Sequence, residues 1–317
     1  MIIKKHWLPI SCLVTVALLG GRMTNQFFEK RNEQQTLEAL NLPTEMKSYK
    51  KVFDKNKVDI SNELMAGLFL LQEKPEMDFS KIKENSETIN FQDIDKKLEK
   101  YLIKTNNIPE KNRVLIITNA NYNYAKALAA LKSGDTELAI ELINKNLDLT
   151  SELSSFNKFH FQTKLNLQGI SVEFLKHEEV KSNLTKDQFI KIDQKLTNGL
   201  ALKDIQNFLN FERLQVNTIL NPNYLIKSIN EEGFIEYVKA PSINGILTDN
   251  SDAEQYNKEM LSIIHPEQAV SLNQESLQAY SYARKFSPTS IVVALNGVDS
   301  FKATQEYLGQ KSSNLSQ

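Results

Sequence analysis

The sequence predicts an all-α body, and three observations predict it. Glycine (10) and proline (8) are scarce in 317 residues, where average usage would give about 22 and about 16. All-β chains use both at their many turns, so their scarcity favours long helices. Apolar residues recur at helical spacing through most of the chain. Helix-start signals, Ser or Thr followed three residues later by Glu or Gln, punctuate the second half.

The N-terminus comes first. Lys4 and Lys5 precede Trp7 to Gly21, which carry no charge, and Arg22 follows. A basic flank before an uncharged apolar run is the layout of a signal peptide or signal anchor. Fifteen helical residues span about 22 Å, short of the roughly 30 Å hydrocarbon core, so flanking residues would have to snorkel. Signal cleavage needs small residues in an Ala-x-Ala-like pattern. Leu18 paired with Gly20, or Leu19 with Gly21, fits it poorly, which favours an uncleaved anchor. The two lysines favour a cytoplasmic N-terminus with the body outside. The only cysteine, Cys12, has most of the apolar run after it, opposite to a lipoprotein signal.

The body divides into a polar tether (23–57), a helical domain (58–220), a mostly helical C-terminal region (221–310) and a polar tail (311–317). The tether carries a short helical pattern at Phe27, Phe28, Leu37 and Leu40 that stops near Pro43. Ile60, Leu64, Leu68 and Leu71 form one helical stripe; Ile94, Leu98 and Leu102 form another. Over 113–149, Ile117, Asn121, Tyr124, Leu128 and Leu131 share a face, and five alanines keep the other faces thin. Gly134 supplies a left-handed stop and Asp135 a cap. Leu138, Ala139, Leu142, Ile143 and Leu147 line the returning helix, completing an antiparallel αα-hairpin. A long buried helix is expected from Leu153 through Phe156, Phe159 and Leu167 to Leu175. Thr185 and Gln188 form a capping box before Phe189, Ile192 and Leu196, and Gly199 ends that helix. A further helix runs from Ile205 to Leu220. Residues 221–250 read as an irregular loop or a small hairpin. Ser251 with Glu254, Ser271 with Gln274, and Ser287 before Pro288 each predict a helix start. The fold is therefore an N-terminal membrane segment followed by an irregular bundle or array of antiparallel αα-hairpins.

The segment "YAKALAALKSGDTELAIELINKNLDL" resembles one tetratricopeptide unit, with small residues in the tight contact and a Gly-Asp joint. No second copy occurs at a 34-residue period, and an array needs about three units. The order of parts in the middle region is a long apolar helix, a capped helix, then a helix carrying Glu212-Arg213 in "LNFERLQVNTIL". This order resembles that of a group of membrane-anchored bacterial helical proteins. The resemblance implies an anchor-plus-helices architecture and no activity.

Composition narrows the function classes. With 38 basic and 39 acidic residues the formal net charge is −1, which gives nucleic acid no basic stripe to bind. A body without cysteine has no disulfide, thiolate zinc site or cysteine nucleophile. No Gly-x-Ser-x-Gly elbow, phosphate-binding glycine loop or His-Glu-x-x-His motif is present. The sequence therefore points to no cofactor, no metal and no catalytic residue. His6 belongs to the N-terminal flank. His160, amid aromatics, reads as a half-buried packing residue. His177 lies four residues after Glu173, an ion-pair spacing that supplies at most two metal ligands. Glu212 and Arg213 sit among apolar neighbours, where a half-buried charge needs partners, and read as members of an intrahelical or interhelical structural salt bridge. If the pair served chemistry, Glu212 would carry the proton and Tyr224 would be its neighbour. Tyr122, Tyr124, Tyr280 and Tyr282 are candidates to line a peptide groove, against the commoner role of core-edge packing.

Together these features describe an exported or membrane-anchored protein with a protein-binding or structural role in the cell envelope. The membrane contact would run through residues 7–21, and the partner would be another envelope protein or a peptide. The alternative is an envelope hydrolase working through two carboxylates about 5–10 Å apart.

Overall fold

A computed structural model of the chain describes residues 28, 30–49, 113–220, 224–229, 235–239 and 251–314. The expected anchor (1–22) and the stripes at Ile60–Leu71 and Ile94–Leu102 lie outside these residues. The chain divides into two compact units, Met1–Ser48 and Tyr49–Gln317. In the first, a helix covers residues 30–39, and its chain turns at Asn41, with φ 51°. Asparagine tolerates that left-handed geometry better than most side chains. Leu37, Leu42 and Met46 are buried there, so this part of the expected tether is not uniformly exposed.

The described residues of the second unit are helical apart from one ribbon and the connecting turns. Helices α1 (Arg113–Ser133) and α2 (Thr136–Glu152) form the expected hairpin. Gly134 makes the joint at φ 83°, a conformation that a side chain would strain. Asp135 caps α2 by accepting from the Leu138 amide at 3.1 Å. The predicted faces meet: Tyr124, Leu128, Leu131, Ala139, Ile143 and Leu147 are buried in one cluster. Asn123 and Asn146 link the two helices inside it at 2.9 Å, and Asn146 also donates to the Ala120 carbonyl at 2.8 Å.

Helix α3 (Lys158–Leu175) packs on both α1 and α2. It starts later than the apolar pattern from Leu153 suggests. The cause is local: Asn157 accepts from the amides of Phe159 and His160 and fixes the start there. Phe159 therefore lies in the first turn and is 57% exposed, against the expectation of burial. Short α4 (Glu178–Asn183) leads to α5 (Lys186–Gly199). Both halves of its predicted capping box form: Thr185 N donates to Gln188 at 2.8 Å, and Gln188 N donates to Thr185 at 3.4 Å. Phe189, Ile192 and Leu196 then join the core.

Helix α6 (Leu202–Leu220) is followed by an antiparallel ribbon, β1 (Tyr224–Ile229) and β2 (Ile235–Lys239), with a register shift between Ile226 and Ser228. Of the two readings of 221–250, the small hairpin is the one present. Helix α7 (Ser251–Ile264) packs on α6. The expected start at Ser271 is absent. Pro266 opens a short helix, α8 (Pro266–Ser271), that ends at that serine, whose hydroxyl donates back to Glu267 and Gln268 carbonyls. The reciprocal turn instead joins Asn273 and Ser276 at 2.8 and 2.9 Å. After a 3-10 turn (Ser276–Ala279) comes α9 (Ser281–Phe286). Its first amides, Tyr282 and Ala283, donate to Glu259 of α7 at 2.8 and 2.9 Å.

Helix α10 (Pro288–Asn314) begins after Ser287, as predicted, and stays helical past Gln310. It packs on α3 and α6. Lys158 meets Thr289, Gly297 faces Phe161, and Gln168 donates to Thr304, so α3 and α10 run in the same direction. Among the described residues, no helix is long and apolar enough to cross a membrane.

Candidate functional site

A buried polar cluster gathers along α6, where Glu212 and Arg213 drew attention in the sequence. Arg213 is 0% exposed. Its Nε donates to Asn210 Oδ1 at 3.0 Å, and Nη1 donates to Asn257 Oδ1 of α7 at 2.6 Å. Asn217 donates to the same Asn257 oxygen at 2.6 Å. Asn210 Nδ2 donates to the Tyr49 hydroxyl at 3.0 Å, and that hydroxyl donates to the Asn207 carbonyl at 3.3 Å. The Tyr49 ring sits 5.1 Å from Phe156 and 5.3 Å from Phe211. Burial pushes its phenol above the usual range, opposed by the Asn210 hydrogen bond and by Arg213. Nearly three turns of α6, from Asn207 to Asn217, thus carry a chain of hydrogen bonds from Tyr49 to α7.

Glu212 faces another way. It is half-buried, and its carboxyl feels the Ser287 and Ser290 hydroxyls at the start of α10 and the charge of Lys158 on α3. Ser287 also shares a 2.8 Å hydrogen bond with Tyr256 of α7. Burial raises the Glu212 carboxyl above its ordinary value, against the lowering effects of the serines and Lys158. Glu212 and Arg213 therefore belong to two separate surroundings. Adjacent helical residues point about 100° apart, and here each reaches a different neighbour. Tyr224 opens β1 opposite Lys239; its side chain lies outside the described residues.

A buried ion pair that sequence reasoning missed joins Lys164 of α3 to Asp204 of α6 at 3.2 Å. Asp204 also accepts from the Ala201 amide at 2.8 Å, so one carboxylate caps α6 and balances a buried ammonium. The available signal was Asp204 at the third position of a helix, where a side chain reaches back to the first free amide.

The histidines stand apart. His177 precedes α4, and its Nδ1 lies 2.5 Å from Glu179. Glu179, not the exposed Glu173, is thus its carboxylate neighbour, held below the usual range by its own backbone hydrogen bond and then by His177. Among the described residues no group of three potential ligands could hold a metal. His160 is half-buried with Nδ1 3.1 Å from Ser154 Oγ. Burial pushes its pKa from 6.5 down to about 4.

A pH prediction follows from that last shift. The folded state holds a neutral His160 while the unfolded chain binds a proton near pH 6.5. This contribution to stability is full above the unfolded value and is lost as pH falls towards the folded one. Urea unfolding at pH 7, 5.5 and 4.5 is expected to show a decline that His160→Gln reduces. Equal declines in both proteins would rule out His160 as its source.

Of the four tyrosines considered for a groove, Tyr122 and Tyr124 are core residues, 2% and 0% exposed. Tyr124 donates to Ser171 at 2.7 Å and stacks on Phe174 at 4.4 Å. Tyr280 and Tyr282 are half-buried. Beside them lies a surface depression lined by Gln274, Glu275, Leu277, Gln278 and Arg284, which contains one carboxylate. No family model, curated protein or solved structure matches this chain.

Proposed function

We propose that this chain is an exported or membrane-anchored helical scaffold of the cell envelope. Residues 7–21 hold it in the membrane, and the body lies outside the cytoplasm, where it engages another envelope protein or a peptide. The observation that carries the reading is the N-terminal pattern: Lys4 and Lys5, then no charge from Trp7 to Gly21. The body's buried polar groups support the scaffold role through their structural partners. Arg213 ties α6 to α7, Glu259 caps α9, and Lys164 joins α3 to α6. Buried polar contacts of this kind tie neighbouring helices to one another.

Glu212 favours the alternative, a carboxylate-dependent hydrolase, because burial raises its carboxyl above the ordinary value, the direction a general acid needs. Such an enzyme needs a second acid across a cleft. The buried Glu259 accepts two backbone amides, which suits a cap better than a catalytic base.

The test is fractionation of the full chain with a C-terminal tag, together with the mass of its N-terminus. An intact chain in the membrane fraction, with the tag accessible from outside, is expected. Deletion of residues 1–22 is expected to release the body into the aqueous fraction. A tag facing the cytoplasm, or a deletion variant still bound to membranes, overturns the reading. A shortened, freely diffusing wild-type chain replaces the anchor with a cleaved signal.

A further inference from the structure

We propose that the outer face of the α3–α10 pair is a self-association surface, on which two copies of this chain pack across a two-fold axis. The face is defined by what lies behind it. Helix α6 packs on both α3 and α10. On α3, Lys164 turns to it and meets Asp204 at 3.2 Å, and the Phe161 ring stacks on Phe208 at 4.7 Å. On α10, Gly297 approaches Ile205. Successive residues advance by about 100° around a helix. Phe159, Asn166 and Gly169 therefore fall on the side of α3 turned away from α6, and Val292, Asn296 and Ala303 on the side of α10 turned away from it. The two helices run in the same direction and α6 covers one side of both, so the two stripes share the opposite side. All six positions are exposed, Phe159 by 57% and Val292 by 51%.

The chemistry of this face is that of an interface. From Phe159 to Val172 the only Lys, Arg, Asp or Glu is the buried Lys164, and from Pro288 to Val298 there is none. The whole chain is 24% charged. A solvated helix face carries charged residues, whereas the core of an interface is depleted of them and enriched in aromatic rings.

A second copy is the occupant that fits. An isologous contact sets one patch against itself, so an uncharged face meets an uncharged face. The charges that bound the face differ in sign, with Lys158 at its amino end and Asp299 at its carboxyl end. A two-fold axis perpendicular to the helices runs the copies antiparallel and brings the Lys158 end of each towards the Asp299 end of the other. A foreign protein would have to match both features, while a second copy matches them by symmetry. Size sets the strength. The uncharged stretch of α3 is about 15 Å long and the helix pair about 20 Å wide, about 300 Å² in outline. A standard stable interface takes roughly 800 Å² per partner, so this dimer is weak and reversible, with Kd in the micromolar range or above. The inference does not depend on the anchor or on the cell-envelope reading.

The experiment is sedimentation velocity of the full chain in detergent micelles between about 1 and about 500 μM, a range that brackets a weak interface. Wild type is expected to pass from monomer to dimer. Phe159→Glu and Val292→Glu each place a charge from both copies in the face and are expected to raise Kd by about tenfold or more. Both positions are exposed and lie near the start of their helices, where glutamate is favourable, so the variants should stay folded, and their thermal unfolding checks this. Ile190 on α5 is 43% exposed and lies outside the face, so Ile190→Glu is expected to leave the equilibrium unchanged. A wild type that stays monomeric throughout overturns the proposal, whatever the variants do, and returns the face to a foreign partner. A dimer that survives both face variants, or that Ile190→Glu abolishes equally, overturns it as well.

Discussion

Arg213→Ala is expected to cost about 3–5 kcal/mol, among the largest losses available in the body. The guanidinium is wholly buried, so truncation leaves a cavity of several heavy atoms. It also removes one donor each from Asn210 and Asn257; Asn257 keeps the Asn217 donor at 2.6 Å, so the hydrogen-bonding loss falls mainly on the buried Asn210, where a lost donor costs about 1–3 kcal/mol. Asn210 in turn orients the Tyr49 hydroxyl, so the damage should spread to the aromatic contacts with Phe156 and Phe211. Arg213→Lys keeps charge and much of the stem but cannot reproduce the fork that reaches two asparagines at once, so it should recover only part of the loss. Arg213→Met keeps the packing without the hydrogen bonds and separates the two contributions. Thermal unfolding is the measurement. At about 2–4 °C per kcal/mol for a body of this size, alanine should lower Tm by roughly 10 °C. A change of one or two degrees would mean that the network along α6 is not structural.

What could be read from the sequence was what is settled within a few residues. Gly134 and Asp135 announce their joint because a left-handed glycine and a capping aspartate act on their own neighbours. Thr185 and Gln188 do the same, and both hydrogen bonds form. The same type of pattern misleads at Ser271. Pro266 had already opened a helix five residues earlier, and the serine became its last turn. Phe159 misleads for a related reason: Asn157 fixes where α3 starts, and that choice sets which face the ring takes. The candidate site was legible only as two residue types. Glu212 and Arg213 stand out because they are charged amid apolar neighbours. Their partners Asn257, Ser287 and Ser290 lie 44 or more positions away, and no local spacing encodes such a meeting. Hence the sequence could mark the two charges but not name what each would meet.

The other large effect centres on the contact where α10 crosses α3. Phe161→Ala is expected to cost about 3–5 kcal/mol, since the ring is 0% exposed and stacks on Phe208 at 4.7 Å. The approach is close because position 297 has no side chain. A Cβ there would lie 3.0 Å from Phe161 Cζ and 3.3 Å from Ile205 Cγ1. Gly297→Ala alone therefore sets two effects against each other. Alanine gains about 1 kcal/mol of helix propensity, while overpacking costs about 1–3 kcal/mol. The ring has little room to move, being held by Phe208 on its other side, so overpacking should win and the variant should be destabilised by about 1 kcal/mol. Remove the ring and the sign should reverse. In a Phe161→Ala background the added methyl meets space instead of Cζ and fills part of the cavity. The same substitution should then stabilise by about 1 kcal/mol, a coupling of about 2 kcal/mol between the two positions. A double-mutant cycle by urea unfolding measures it directly. Simple additivity would show that α10 can slide away from α3 at little cost, and that the glycine is not what sets the distance between them.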